Sequence, residues 1–431
     1  MAITTRPRGT NDILPAKIGI WHKIEDTIRR ICHQFGYEEI RTPIFEHTEL
    51  FERGIGEATD IVEKEMYTFT DRGQRSITLR PEGTAPVVRA FLENKLYGGT
   101  LPAKVYYVGP MFRYERPQAG RYRQFNQFGI EALGGADPAL DVEMILIPIE
   151  VYKAVGLKDF EVQINSIGCP SCRTAYREAL KDSLRENIHK FCPSCQSRFD
   201  KNPLRILDCK VKECIELTKD VPVLVDYLCT DCSEHFSKVK EYLDALNINY
   251  SLNNRLVRGF DYYTRTVFEI ISVGLGSQNA VGGGGRYDGL IEEVGGQPHP
   301  AVGFAAGLER LVLALENQNM EVADQRTPDC YIAQFGGQTK TEAVKLAYEL
   351  RQAGLWAEFD YMEKSLRAQM KAADKFGAKF VIVIGEEEIA SNQVKVRSMV
   401  TGQEELVSLG DIKEYLIGHG GEKDGSMEAN S

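Results

Sequence analysis

Arginine and aromatic residues are concentrated in one short stretch of the chain, residues 112–125. Its four arginines are Arg113, Arg116, Arg121 and Arg123. A turn-forming run at residues 117–120 divides them, which predicts a β-hairpin with guanidinium groups at its mouth. Guanidinium groups bind phosphate through paired hydrogen bonds, and aromatic rings stack on nucleobases. The stretch therefore indicates a nucleotide polyphosphate site, with an ordinary solvated hairpin as the alternative.

The strand that follows this hairpin carries polar residues at alternate positions. Gln127, Gly129 and Glu131 are two positions apart and so share one face of the strand. A glutamate that faces inward needs a partner, because burial of an unpaired carboxylate is costly. We therefore expect Glu131 to face a ligand or a polar group.

A second candidate segment is Thr78–Thr84, where a predicted strand ends at a proline. Glu82 and Thr84, on either side of Gly83, place a carboxylate and a hydroxyl at a tight turn. These groups would suit the ammonium group of a ligand. The alternative is that the Glu-Gly-Thr sequence only caps a helix, which is its more frequent role.

Three later segments could also bind a ligand. Arg258–Thr266 contains adjacent tyrosines, Tyr262 and Tyr263, which would point to opposite faces of an extended chain. The run Gly282–Gly285 allows close approach of a ligand to the backbone, although it is neither a P-loop nor a dinucleotide fingerprint and a flexible turn is the simpler interpretation. In Gly303–Arg310 a strand leads into a helix whose first turns carry an arginine, a suitable place for a phosphate-binding cation.

Eight of the ten cysteines lie between residues 169 and 232. Two Cys-x₂-Cys pairs have the spacing of one tetrahedral zinc site, and their members are Cys169, Cys172, Cys192 and Cys195. A second, weaker set is possible from Cys209, Cys214, Cys229 and Cys232. A reducing compartment favours metal or free thiols over disulfides. A structural zinc and reduced thiols without metal both remain open, and we expect no catalytic role.

The pattern of hydrophobic residues divides the chain into regions that would position these groups. Residues 1–167 and 250–320 combine helices with short strands, and the fold class predicted for the chain is α/β. For this region the pattern predicts an α+β domain with a mostly antiparallel sheet flanked by helices. Residues 168–249 have a helical pattern and predict an insertion domain. Strands alternate with helices in residues 326–417, as in a separate small α/β domain. Residues 418–431 are glycine-rich and charged, which predicts disorder.

The N-terminal helix and the strand after it predict a surface that needs a partner. The helix Lys17–Phe35 has a stripe of isoleucines, namely Ile20, Ile24, Ile28 and Ile31. The next predicted strand, Tyr37–Ile44, contains Pro43, which favours an edge or an interface. We therefore expect a homodimer formed through Lys17–Ile44.

The composition excludes several classes of protein. Hydrophobic residues make up 43% of the 431 residues and charged residues 26%, as in ordinary globular proteins. No stretch approaches the roughly 20 apolar residues that cross a bilayer, and the N-terminus lacks a secretory signal, so we expect a cytoplasmic protein with no membrane partner. The net charge of −10 argues against sequence-independent coating of RNA.

A local basic surface is still predicted in the last domain. Basic residues recur there at three- and four-residue steps, at Lys364, Arg367, Lys371, Lys375 and Lys379. Such steps place them on one helix face, which would suit RNA, although a solvated face is the usual explanation.

The order of these segments resembles the class II aminoacyl-tRNA synthetases. The arginine hairpin and the later strand and helix of Gly303–Arg310 are similar to motifs 2 and 3 of that class. The N-terminal helix and the Pro43 strand are similar to motif 1, its dimer-forming element. Within the class, Arg258–Tyr263 and Gly283–Tyr287 resemble the two signature peptides of the histidyl-tRNA synthetase family. The resemblance covers nearly all of residues 1–415. It implies a class II catalytic domain interrupted by the insertion and followed by an anticodon-binding domain.

The resemblance also implies roles for the candidate residues. ATP would be bound by Arg113, Glu115, Arg121, Phe125 and Arg310. Histidine would be bound by Glu82, Gly83, Thr84, Gln127, Glu131, Arg258, Tyr262, Tyr263 and Tyr287. The tRNA would be contacted by Arg116, Gln118, Lys364, Arg367 and Lys371. Arg113 and Arg258 would be catalytic, because adenylation needs positioning and charge neutralisation and no protein nucleophile.

The implied reaction activates L-histidine with ATP and Mg²⁺ to histidyl-adenylate, with release of pyrophosphate, and then transfers histidine to the 3′ end of tRNA(His). Zinc is not part of the general family pattern. The closest alternative is a non-catalytic regulatory subunit of ATP phosphoribosyltransferase that is similar to the same family. Such subunits typically lack the C-terminal domain and lose the signature peptides, whereas here both peptides and the domain are present.

Overall fold

An eight-stranded mixed sheet organises the first of two units, Met1–Ala323, in the computed structural model. The structure describes residues 3–56, 59–272, 275, 279–318, 327–337 and 339–419. The strands of the first unit are β1 (Glu38–Glu39), β2 (Phe45–His47), β3 (Tyr67–Thr70), β4 (Ser76–Leu79), β5 (Ala103–Phe112), β6 (Gln124–Leu133), β7 (Phe160–Ser166), β8 (Tyr250–Leu252), β9 (Thr264–Ser272), β10 (Ala280–Arg286) and β11 (Ala301–Gly307).

The large sheet has the order β1-β5-β6-β11-β10-β9-β7-β8. Its outer pairs, β1 with β5 and β7 with β8, are parallel, and the neighbours between them are antiparallel. The predicted mostly antiparallel sheet is therefore confirmed. Strands β2, β4 and β3 form a separate small sheet in that order.

The first unit contains ten α-helices among its described residues. They are α1 (Pro15–Gln34), α2 (Thr48–Ile55), α3 (Thr84–Glu93), α4 (Pro138–Val155), α5 (Pro170–Arg185), α6 (Pro193–Lys201), α7 (Lys212–Leu217), α8 (Thr230–Ala245), α9 (Leu290–Glu293) and α10 (Leu308–Asn317). Helix α4 contacts α1, α8 and β11, and thereby closes the main apolar core over the sheet. Helices α5 to α8 belong to the segment between β7 and β8, where the sequence predicts a helical insertion.

Two expectations for the N-terminal region are wrong. The isoleucine stripe of α1 is not an uncovered surface, because Ile20, Ile24 and Ile28 are buried in the core of the same chain. The strand expected over Tyr37–Ile44 is reduced to the two residues of β1, and Pro43 lies in the connection to β2. Proline cannot donate a backbone hydrogen bond, which is consistent with the break at that position.

The second unit, Asp324–Ser431, has its own sheet and core. Its strands are β12 (Cys330–Gln334), β13 (Ala357–Phe359), β14 (Phe380–Ile384), β15 (Gln393–Ser398) and β16 (Glu404–Ser408). They lie in the order β13-β12-β14-β15-β16. Its helices are α11 (Thr339–Gln352), α12 (Leu366–Phe376), α13 (Glu386–Ser391) and α14 (Ile412–His419). The predicted alternation of strands and helices is confirmed.

The predicted disordered tail, residues 418–431, overlaps the described structure only at its start. Helix α14 continues through His419, so the disorder expected from residue 418 is wrong there. Residues 420–431 lie outside the described residues. Among the helices that are described, none is long and apolar enough to cross a membrane.

Candidate functional site

A cavity of about 250 Å³ opens on the antiparallel strands of the large sheet. Its walls come from the β5–β6 connection, β6, β10, β11, the start of α10 and the segment before β9. The candidate residues that line it are Glu82, Thr84, Arg113, Glu115, Arg121, Phe125, Gln127, Arg258, Tyr262, Tyr263, Tyr287 and Arg310. Residues far apart in the sequence thus meet in one place.

Glu131 lies behind this lining, at the buried end of the cavity. Its side chain is 1% exposed and accepts hydrogen bonds from Thr84 Oγ1, at 2.7 Å, and from the hydroxyl of Tyr287. Burial raises the pKa of Glu131 to about 8, although the two hydroxyl donors act in the opposite direction. The inward-facing glutamate therefore has polar partners, and both partners line the cavity.

Glu82 caps a helix and also lines the cavity. Its carboxylate accepts from the backbone N–H groups of Thr84 and Ala85, each at 2.7 Å, at the start of α3, and it also lines the cavity. Burial raises the pKa of Glu82. Gly83 does not line the cavity. Its N–H donates to Gln127 Oε1 at 3.1 Å, and a Cβ at this position would overlap the ring of Tyr107.

Cations gather at the other end of the cavity. Arg121 Nη1 donates to Glu115 Oε2 at 3.2 Å, and Arg113 Nη1 lies 3.8 Å from Glu115 Oε1. The guanidinium carbon of Arg113 lies 5.4 Å from the ring centroid of Phe125. Burial and the nearby charge of Arg121 lower the pKa of Arg310. Three guanidinium groups beside an aromatic ring at one end of a cavity can bind a nucleotide polyphosphate.

Arg258 has a neighbour that the sequence did not indicate. It forms an ion pair with Glu269 on β9, and its guanidinium carbon lies 5.7 Å from the ring centroid of Tyr263. Within the described residues, Arg258 Nε is buried without a hydrogen-bond partner. Tyr262 and Tyr263 do not point to opposite faces, because residues 258–263 turn before β9 begins. Both tyrosines line the cavity, and their ring centroids are 4.7 Å apart.

The glycine run, Gly282–Gly285, is not a flexible turn. It lies inside β10, between β9 and β11. A Cβ on Gly283 would lie 2.6 Å from Arg258 Nη1, and one on Gly284 would overlap the carbonyl oxygen of Gly303. Glycine is needed because neighbouring groups already occupy the space of a side chain.

The sequence did not predict a binding role for four other lining residues, Phe260, Glu269, Phe304 and Glu309. Glu309 accepts from the backbone N–H of Asn126 at 2.8 Å and from its Nδ2 at 3.1 Å, and burial raises its pKa to about 7. Glu309 and Phe304 are both within the segment Gly303–Arg310, in which the sequence predicted a binding role for Arg310 alone. Nothing in a single sequence pairs Glu269 with Arg258.

The residues expected to contact tRNA lie in two places. Arg116 and Gln118 line a second concavity beside Glu115 and Arg121. The others belong to the second unit, where Arg367 and Lys371 are exposed on α12 and Lys364 precedes that helix. The expected five-residue stripe is therefore wrong in extent. Its last member, Lys379, follows α12 and forms an ion pair with Asp329 at 3.1 Å.

The cysteines form two clusters, but not in the expected grouping. Cys169 and Cys172 meet Cys229 and Cys232, whereas the second cluster consists of Cys192, Cys195, Cys209 and Cys214. The expected site, which joined the first two Cys-x₂-Cys pairs, is wrong. Pairs that are adjacent in the sequence lie at different places in the helical segment, and the chain returns to Cys169 only at the start of α8.

Comparison with known proteins shows the same family along almost the whole chain. A family model described as histidyl-tRNA synthetase matches residues 9–193 and 208–311, and one described as anticodon binding domain matches residues 329–419. The histidine–tRNA ligase of Pelotomaculum thermopropionicum is 54% identical over 414 residues, with 96% of this chain and 97% of that one covered. That of Desulforamulus reducens is 53% identical over 414 residues, with 96% and 99% covered.

Solved structures point to the same family. The crystal structure of apo S. aureus histidyl-tRNA synthetase superposes with a TM-score of 0.82 at 42% identity, and the match covers 96% of this chain and 100% of that one. Family models, relatives and fold therefore agree over both units. The chain belongs to the histidyl-tRNA synthetase family.

Proposed function

We propose that this protein is a histidine–tRNA ligase that works in the cytoplasm. It activates L-histidine with ATP to histidyl-adenylate, releases pyrophosphate, and transfers histidine to the 3′ end of tRNA(His). The observation that carries the proposal is one cavity with two ends: arginines and an aromatic ring at one end, and a buried carboxyl with hydroxyls at the other. Family membership supports the same reaction.

The arginine end would hold ATP. Arg121 and Arg310 would bind the outer phosphates, because both guanidinium groups line this end of the cavity and guanidinium binds phosphate through paired hydrogen bonds. Arg113 would bind the α-phosphate, Phe125 would stack on the adenine, and Glu115 would contact the adenine amino group. Guanidinium groups fixed before the reaction neutralise the charge of the transition state without further reorganisation.

The buried end would hold histidine. An imidazole has two ring nitrogens on opposite sides, and we assign one to Glu131 and the other to Tyr263, with Tyr287 beside Glu131. Glu82 and Thr84 would receive the ammonium group. A site whose buried polar groups need substrate partners rejects analogues that lack them far better than an apolar pocket does.

Magnesium would enter with ATP. The cavity offers the carboxylates of Glu269 and Glu309, and Mg²⁺ is commonly shared between one or two carboxylates and the phosphates of the substrate. Bound there, it would neutralise charge on the departing pyrophosphate. Arg258 would then orient the histidine carboxylate towards the α-phosphate, with Gln127 nearby. Among the described residues that line the cavity there is no cysteine, so any Zn²⁺ in the cysteine-rich segment would be structural and would take no part in the chemistry.

The tRNA would meet both units. Arg116 and Gln118 are beside the cavity, where they would contact the acceptor end. In the second unit, Lys364, Arg367 and Lys371 are exposed and form no ion pair with another described residue, so they would contact the anticodon stem and loop.

We also propose a homodimer, on different residues from the isoleucine stripe. Phe45 and Phe69 are 54% and 48% exposed on the outer strands of the small sheet, and they share one face because they pair with Leu79 and Ile77. Two edge strands with exposed aromatic rings form a surface that usually meets a partner. A stable, active monomer in light scattering at micromolar concentration would exclude the dimer.

Histidine-dependent exchange of pyrophosphate into ATP tests the main proposal. The ligase exchanges pyrophosphate with histidine and with no other amino acid, and it charges tRNA(His). A regulatory subunit of ATP phosphoribosyltransferase would bind histidine without exchange. Absence of exchange from folded protein that binds histidine would therefore favour the regulatory alternative.

A further inference from the structure

We infer that residues 168–249 bind two structural zinc ions, each held by four thiolates, and that these ions fix the segment that carries Arg258. Site one consists of Cys169, Cys172, Cys229 and Cys232. Site two consists of Cys192, Cys195, Cys209 and Cys214. The link to Arg258 rests on the proposed function, whereas the metal content does not.

The spacing of the sulfur atoms fits zinc. Within each cluster, all four Sγ atoms lie within 4.8 Å of one another. Cys169 Sγ is 3.6 Å from Cys172 Sγ, and Cys192 Sγ is 3.9 Å from Cys209 Sγ. A tetrahedron with Zn–S bonds of about 2.3 Å has edges of about 3.8 Å. A disulfide bond is far shorter, at about 2.05 Å, and all ten cysteines are free.

The backbone around the clusters suits thiolates. Cys169, Cys192 and Cys229 are the N-cap residues of α5, α6 and α8, where helix dipoles favour negative charge. The backbone N–H of Cys229 donates to Cys172 Sγ at 3.1 Å. In site two, the N–H of Cys192 donates to Cys214 Sγ at 3.3 Å. Four thiolates around Zn²⁺ carry a net charge of about −2, which such donors and helix ends stabilise.

The two sites would act at different levels of the segment. Site one joins the start of α5 to the start of α8 and so closes the loop of chain that contains α5, α6 and α7. Site two lies inside the insertion, and its Cys195 and Cys214 belong to the apolar core there. A metal that binds only the folded form contributes its binding energy to folding.

Next to site one, a hydrogen bond joins α5 to a residue that lines the cavity. Arg173 follows Cys172 on α5, and its Nη1 donates to the carbonyl oxygen of Tyr263 at 3.0 Å. Tyr263 lines the cavity beside Arg258. The orientation of α5, which the metal would fix, therefore determines where this end of the segment lies.

Residues between the cysteines of site two also contact residues 258–263. Asn202 and Arg205 lie between Cys195 and Cys209. Asn202 Nδ2 donates to Asp261 Oδ1 at 2.9 Å, and Arg205 Nη1 donates to the carbonyl oxygen of Gly259 at 3.2 Å. Arg173 Nη1 also donates to the carbonyl oxygen of Asp261 at 3.5 Å. Residues 258–263 are thus held from the insertion by four hydrogen bonds, although they form no regular element themselves.

Metal analysis of paired variants tests the grouping of the cysteines. Wild-type protein purified without chelator should contain two zinc ions per chain. Cys169→Ser with Cys229→Ser removes ligands of one site and should leave one ion, whereas Cys169→Ser with Cys192→Ser should leave none. Grouping by sequence neighbours predicts the reverse result for the two pairs. Cys330→Ser, in the second unit, is the control and should keep both ions.

Cobalt substitution uses the wild type alone, so it tests the two sites even if the serine variants fail to fold. Two equivalents of Co²⁺ should bind and give the visible spectrum of tetrahedral thiolate sites. No metal, one ion per chain, or iron in place of zinc overturns the inference.

The link to Arg258 has its own measurement. In the singly substituted Cys229→Ser protein, we expect hydrogen–deuterium exchange of residues 258–263 to become at least tenfold faster, and histidine-dependent pyrophosphate exchange to fall at least tenfold. Unchanged exchange of those amides in protein that has lost one zinc would overturn the link. Wild type that holds two zinc ions but lacks pyrophosphate exchange would contradict the proposed function and leave the metal sites intact.

Discussion

Arg258 has two neighbours that constrain it and one nitrogen that is unused. Glu269 pairs with one end of its guanidinium, the guanidinium carbon lies 5.7 Å from the ring centroid of Tyr263, and Nε is buried without a partner among the described residues. A planar cation fixed in this way is suited to bridge a carboxylate and a phosphate. We therefore expect Arg258→Lys to lower kcat for adenylation by about 100- to 1,000-fold, while KM for histidine changes little. Single-turnover adenylation measures this step.

The alternative is that Arg258 only balances Glu269. Removal of one partner from a buried ion pair is costly because the other charge stays unpaired. Under that alternative, Arg258→Gln combined with Glu269→Gln would recover thermal stability and would adenylate as fast as Glu269→Gln alone. Under our proposal the double variant recovers stability but adenylates far more slowly than Glu269→Gln alone. Transfer from preformed histidyl-adenylate should be little affected in either variant, because the attack on phosphorus is already complete.

Glu131 makes the stability of the protein depend on pH in a defined direction. An unfolded glutamate has a pKa of about 4.3, and burial raises that of Glu131 to about 8. Between these values the folded state holds a proton that the unfolded state has released, so stability falls as pH rises through that window. We expect the melting temperature of Glu131→Gln, relative to wild type, to increase from about pH 5 to about pH 8 and then level off. The exposed Glu292→Gln control should show no such trend.

A flat difference across that range would mean that Glu131 is ionised throughout. The same variant should bind histidine more weakly at every pH, because an amide cannot replace a carboxyl group that is also bonded to Thr84 and Tyr287.

At the scale of elements, the spacing of hydrophobic residues predicts helices and strands that have a local pattern. It does not predict features that depend on contacts between distant parts of the chain. β5, β6 and the alternating elements of the second unit have local patterns, and they form where expected. The cysteine grouping depends on the path of the three helices α5, α6 and α7 between Cys172 and Cys229, and no local pattern records that path. The glycines of β10 are similar: four glycines favour a turn locally, but neighbouring strands require them in the sheet.

The requirement for glycine inside β10 can be tested with one methyl group. In Gly284→Ala, the new Cβ would overlap the carbonyl oxygen of Gly303 on β11, and backbone cannot move aside as a side chain can. We expect a loss of roughly 1–3 kcal/mol or more, which thermal or denaturant unfolding would show. Gly98→Ala is the matched control, because nothing lies within 4 Å of the position of its Cβ. Equal stability of both variants would mean that β10 adjusts freely.

At the scale of the whole molecule, chemistry and part of tRNA recognition are assigned to separate units. The described residues that line the cavity all precede Met320, and α12 belongs to the second unit. Each unit has an apolar core of its own. This arrangement predicts that one activity can be lost without the other.

Termination of the chain after Met320 is the direct test of that separation. We expect histidine-dependent pyrophosphate exchange to remain detectable, because every group assigned to ATP and histidine is retained. Charging of tRNA(His) should fall by roughly a hundredfold or more, since several phosphate contacts are lost together and each tenfold is worth about 1.4 kcal/mol. Equal loss of both activities would mean that the second unit is needed for folding or assembly.

Arg367→Ala with Lys371→Ala in the full chain separates loss of tRNA contacts from loss of folding. The double variant leaves both cores intact, so it should weaken charging of tRNA(His) and leave pyrophosphate exchange unchanged. The control is Lys345→Ala, an exposed lysine of the same unit that pairs with Glu342, which should leave both activities unchanged. If the double variant charges tRNA(His) as well as this control does, the basic face of α12 has no part in binding tRNA.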